Sequence, residues 1–146
     1  MRTLLLCGAL LWLITYGSWV VAANLPSGYA DFKRECSDCH MPFPPQMLPQ
    51  RSWKQLLSHL DQHFNADASL DAKATSNISN FLQNYAADSA NGGRLGYFIS
   101  HNIAAGETPL RITDTRGWRR IHGEIRPSAW TSDKVKTRSN CLACHR

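Results

Sequence analysis

The pentapeptides Cys36-Ser37-Asp38-Cys39-His40 and Cys141-Leu142-Ala143-Cys144-His145 constrain this 146-residue chain more than any other feature. Two cysteines separated by two residues and followed at once by histidine form the attachment signal of a c-type haem. The thiols add covalently to the vinyl groups of the macrocycle, and the adjacent histidine reaches the iron from one side. Two motifs therefore imply two covalently attached haem c groups, with Cys36, Cys39, Cys141 and Cys144 as anchors and His40 and His145 as iron ligands. Zinc would need four thiolates, or a Cys/His mixture, converging on one ion. That chemistry gives no reason for a histidine directly after each cysteine pair. A chain that can use two macrocycles as core material can also be short.

The start of the chain reads as an address. Arg2 precedes an uncharged run from Leu4 to Val21, and Val21-Ala22-Ala23 offers small residues for cleavage. This is the pattern of a secretory signal peptide over residues 1–23, which implies export to the periplasm. An uncleaved anchor is the competing reading, because the run is just long enough to span a bilayer. Thr15, Tyr16, Gly17 and Ser18 dilute its apolarity, so the expectation is cleavage after Ala23 with no membrane span left. Cys7, preceded by Leu6, reads as packing in this segment. Export ordinarily favours disulfides, but the four later cysteines are committed to the two motifs. No repeat of 20 to 50 residues is present, so a solenoid is excluded.

Charge is distributed unevenly. Residues 24–93 carry five Lys/Arg against seven Asp/Glu, whereas residues 94–146 carry ten against four. The propionates of two haems would bring the total near zero, so the high isoelectric point does not signal nucleic acid. No basic run with interleaved aromatics is present either. The asymmetric field can still orient a charged redox partner.

Between the motifs the pattern is helical. Prolines from Met41 to Pro49 exclude helix and predict a stiff extended loop, serving either as a linker or as a cover that sets Phe43 and Leu48 against a macrocycle. Ser52 with Gln55 forms a capping box. Trp53, Leu56, Leu57, Leu60 and Phe64 then share one helical face. Continuing that helix at 100° per residue puts His63 about 20° from Leu56, facing the core, and His59 about 60° further towards solvent. Ser69 signals a second helix, with the stripe Ala74, Ile78, Phe81, Leu82 and Tyr85, stopping near Asn91-Gly92-Gly93. The sequon Asn77-Ile78-Ser79 lies inside it and is discounted. Residues 94–115 show mixed pattern, with a loop at Gly106 and Pro109. A shorter helix sets Trp118, Ile121, His122 and Ile125 on one face before Pro127 ends it.

Each iron needs a sixth ligand. Methionine is scarce: Met41 adjoins His40 and only Met47 has reach. His59, His63, His101 and His122 remain, and the helical phases favour His63 and His122, with His101 third. Ligation by histidine alone lacks the methionine that raises the potential, so both haems should lie towards low potential. Since only Arg146 follows the second motif, the far face of the second haem is expected to be closed from upstream.

These residues resemble the small dihaem cytochromes c of bacteria. The likeness covers Glu35 to His40, Pro44-Pro45 with Leu48-Pro49, Ser52-Trp53, Leu60 to Phe64, Ala68 to Asp71, Ala86 to Asp88, Pro109 to Thr113, His122 and Asn140 to His145. The resemblance implies two six-coordinate low-spin irons with histidine on both sides and an electron-transfer role. It also implies redox partners such as a small monohaem oxygen-binding protein and a membrane cytochrome b. Family members usually extend past the second motif, which this chain does not.

The fold expected is all-α: a small haem-organised, cytochrome c-like helical domain over residues 24–105, followed by a less regular haem-binding segment over 106–146. The function expected is single-electron transfer without catalysis. The competing function is a small haem enzyme, a peroxidase or oxyanion reductase with one open iron position. A third is a subunit or haem shuttle of a larger membrane complex.

Overall fold

The computed structural model describes residues 25–145; the signal segment assigned to residues 1–23, with Cys7, lies outside the described residues. Within them six α-helices and four single 3-10 turns follow one another, with no strand. The all-α expectation therefore holds. No helix among the described residues is long and apolar enough to cross a membrane.

The organising element is α3, Ala72–Tyr85, whose Asp71 cap accepts a hydrogen bond from the Ala74 amide at 2.8 Å. Ser69, expected to start this helix, lies before that cap. The stripe Ala74, Ile78, Phe81 and Leu82 is buried, and Ile78 is fully inaccessible. Helix α1, Tyr29–Cys36, packs on it, with the Phe32 and Phe81 rings 5.2 Å apart. Gly28 makes this approach possible: at φ 83° it lies so close to the Asn77 carbonyl that a Cβ would sit 2.1 Å from that oxygen. The Asn77 side chain then donates to Asp31 at 2.7 Å. That bond, with the Arg34 guanidinium, holds the Asp31 carboxyl below its ordinary range.

Helix α2, Gln50–Leu57, covers the other side of α3. The Ser52 capping box is not formed. Pro49 is the N-terminal cap residue, Ser52 is buried inside the first turn, and the Gln50 amide donates instead to Asp88, 38 residues away. The cap is supplied by tertiary contact, which local spacing does not encode. The proline stretch is extended as expected but also contains a 3-10 turn, Pro45–Met47, compatible with Pro at its first position. The Pro45 carbonyl accepts from the buried Trp53 indole at 2.7 Å. Leu48 belongs to the protein core, so it takes no part in a cover, whereas Phe43 lies beside His40.

Three further expectations are corrected. Helix α2 ends at Leu57, a 3-10 turn spans Leu60–Gln62, and Phe64 and Asn65 adopt left-handed φ of 53° and 75°. His63 is therefore not on a helical face, and the phase argument that placed it does not apply. Helix α3 stops at Tyr85, and residues 93–101 form a separate helix α4, Gly93–His101, packed on the Pro45–Met47 turn. Gly96 lets α4 approach so closely that a Cβ would meet the Ala87 carbonyl at 2.7 Å. Helix α5, Arg116–His122, ends before Ile125; Ile121 and Ile125 are exposed, and Pro127 opens the short α6, Pro127–Trp130.

The apolar core built from protein is confined to residues before 90, with Ile112 added at its edge. Beyond Thr115 the buried residues are Gly117 and Val135 alone. Arg51 ties the connecting loop down, donating to the carbonyls of Glu107 and Ala104 and pairing with Asp88 at 3.5 Å.

Candidate functional site

Each motif sits at the boundary of a helical turn. Cys36 is the last residue of α1 and packs against the core, while Cys39 and His40 follow on the exposed turn. Cys141 opens a 3-10 turn, and its carbonyl accepts from the amides of Cys144 and His145. Burial, helped by the Glu35 carboxylate, pushes the Cys36 thiol up to about 11; burial also raises Cys141. Both leading cysteines are thus partly buried, while Cys39 and Cys144 are exposed. None of the four cysteines forms a disulfide. Among the described residues no three or more His, Cys, Asp or Glu side chains converge as a metal-binding cluster.

The fold pairs each motif histidine with one upstream. The His40 and His63 rings are stacked with centroids 6.2 Å apart and planes at 27°; His122 and His145 are 6.0 Å apart at 69°. Two imidazoles bound to one metal ion from opposite sides, each at about 2 Å through a ring nitrogen, have centroids about 6 Å apart. Both pairs therefore leave the space that one iron between two histidines requires. His59 and His101 are exposed and enter neither pair.

The surroundings differ. His40 shares a 2.7 Å hydrogen bond between Nδ1 and the Met41 carbonyl, and His122 a 3.0 Å bond between Nδ1 and the Trp118 carbonyl. Such bonds leave Nε2 free to ligate and fix the ring. Trp118 also stacks on His122 at 4.5 Å and 15°, and Trp130 closes the group at 5.4 Å from Trp118. His63 has no partner for its buried Nδ1. Burial first, and then the nearby His40 and Arg111, lower its pKa. Phe64 packs edge-on against the His63 ring at 4.8 Å, and the Arg111 guanidinium lies 3.8 Å above the Phe64 ring.

This aromatic and cationic surround was not read from the sequence. The Trp118–His122 spacing of four residues carries that signal, since i and i+4 side chains meet on a helix. The Arg111–Phe64 contact joins segments 47 residues apart and has no local trace.

The profile of the family described as dihaem cytochrome c matches residues 32–146. Among solved structures, a diheme cytochrome c from Rhodobacter sphaeroides is 38% identical over 80% of this chain and 89% of its own, with a TM-score of 0.70. A diheme cytochrome type c from Shewanella baltica OS155 is 29% identical over 81% of this chain and 80% of its own, with a TM-score of 0.64. No curated protein sequence matches.

Proposed function

From the premise that the chain belongs to the dihaem cytochrome c family, with two covalently bound haem c groups and a carrier role for electrons, we propose that both irons are held between two histidines. The first site uses Cys36, Cys39, His40 and His63, and the second uses Cys141, Cys144, His145 and His122. The observation that supports this reading is the ring separation of 6.2 and 6.0 Å in two pairs that each contain a motif histidine.

Haem held by these residues would supply one-electron redox chemistry, at a potential below that of methionine-ligated cytochromes. The protein's part is to keep the surroundings fixed. The carbonyls of Met41 and Trp118 set the tautomers of His40 and His122. Phe43 packs against His40, and Trp118 with Trp130 packs beside His122. We divide the chain into an N-terminal haem unit, residues 24–105, and a C-terminal haem-binding segment, residues 106–146. The concentration of protein core in the first supports this division.

The setting proposed is the periplasm, with the signal removed, and the partners are redox proteins, including a small monohaem oxygen-binding protein and a membrane cytochrome b. The test is potentiometric titration of the holoprotein followed optically. Two one-electron steps at low potential, both between low-spin forms, are expected; a high-spin oxidised component would overturn histidine ligation at that iron.

A further inference from the structure

Of the ring nitrogens that face away from the paired imidazoles, those of His40 and His122 bond to backbone carbonyls. That of His63 is buried and bonds to nothing. Because protein already shields this atom, a group bound at the opposite nitrogen does not reach it. Loss of such a second-sphere partner ordinarily costs about 10- to 100-fold in metal affinity.

The backbone around His63 differs in the same direction. His122 is carried on a helix, whereas His63 lies between a 3-10 turn and two successive left-handed residues, Phe64 and Asn65. Asparagine takes that conformation readily, whereas phenylalanine holds it only where its surroundings stabilise it. The turn is closed by the Ala66 amide donating to the His63 carbonyl at 3.1 Å and the Ala68 amide donating to the Leu60 carbonyl at 2.8 Å, and the Arg111 guanidinium packs over the Phe64 ring, which lies against His63. Beside the loop is an open cleft of about 530 Å³ lined by His59, Gln62, His63, Asn65 and Arg111 among others. His40, Phe43 and the first-motif cysteines do not line it, so it lies outside the gap between the paired rings.

We propose that His63 is a releasable ligand: its loop swings the imidazole into this cleft, and the first haem then binds a small neutral diatomic molecule on the side that His63 leaves. Arg111 acts as the latch on Phe64. This inference rests on His63 being the axial ligand proposed above.

The test is carbon monoxide binding to the reduced holoprotein, followed by stopped-flow spectroscopy. One carbon monoxide per chain is expected, at a rate that levels off with concentration because His63 release becomes limiting. Arg111→Gln should raise the plateau several-fold. His63→Ala should be high-spin at one iron beforehand and bind at a rate linear in concentration. Failure of the unsubstituted protein to bind, with His63→Ala high-spin and reactive, would overturn release while leaving the ligand assignment standing. A plateau phase that survives His63→Ala would place release at the other haem and also overturn the proposal. Two low-spin irons in His63→Ala would instead remove the ligand assignment itself.

Discussion

His63 and His122 reach equivalent positions opposite a motif histidine by different local routes. His122 closes α5, bonded to and stacked on the residue one turn before it. His63 hangs from a loop whose dihedrals no periodicity describes. The sequence pattern therefore selected both residues, but for His63 on a helical phase that does not exist. What hid its setting was a turn with two successive left-handed residues, against which Arg111 packs from 47 residues away. The four cysteines needed no such help, because their chemistry is written in five consecutive residues. The pairing predicts that His122→Ala leaves one iron high-spin, while His59→Ala leaves both low-spin, as read by the near-ultraviolet and visible spectra of the oxidised protein. A high-spin iron in His59→Ala would show that the exposed histidine ligates.

Among the elements, α3 is the one on which the others depend, and its buried stripe was legible from period alone. Truncating Ile78 to Ala removes a fully inaccessible side chain between α1 and α3. The expected loss is about 2–5 kcal/mol, measured by denaturant unfolding of the holoprotein, with a smaller loss for Asp71→Ala, which removes only a cap. A loss under about 1 kcal/mol at Ile78 would mean that the macrocycles, not α3, dominate stability. Less was legible elsewhere. Helix α4 begins at paired glycines and leaves Leu95, Tyr97 and Phe98 exposed, so its apolar residues trace no buried stripe. Helix α2 takes its cap from Asp88, and nothing near Gln50 signals that.

At the scale of the molecule, the two ends are stabilised differently. Residues 25–90 have a protein core; among the described residues past Thr115 only Gly117 and Val135 are buried. Replacing Cys141 and Cys144 together with Ser should expose that segment to trypsin at Arg119, Arg120 and Lys134, while the α1–α3 part resists. Equal resistance throughout would show that the segment folds unaided. Charge divides along the same line. The ion pairs among the described residues are Arg34 with Asp31 and Glu35, and Arg51 with Asp88. The exposed cations from Arg94 to Arg138 are left to act outward. Electron exchange with an acidic partner should therefore run through the second haem. It should slow as the Debye length falls from about 30 Å at 0.01 M salt to about 10 Å at 0.1 M, and Arg119→Gln with Arg120→Gln should flatten that dependence. Rates indifferent to salt would remove steering. The angles between paired rings, 27° at the first site and 69° at the second, carry a last consequence, a magnetic one. Nearly parallel imidazoles split the iron's two π-type d orbitals, whereas nearly perpendicular ones leave them close in energy. Low-temperature electron paramagnetic resonance should accordingly give a rhombic signal from one iron and a strongly axial signal from the other. His122→Ala should erase only the axial one, so that the site holding the unpaired electron can be identified as the protein is reduced.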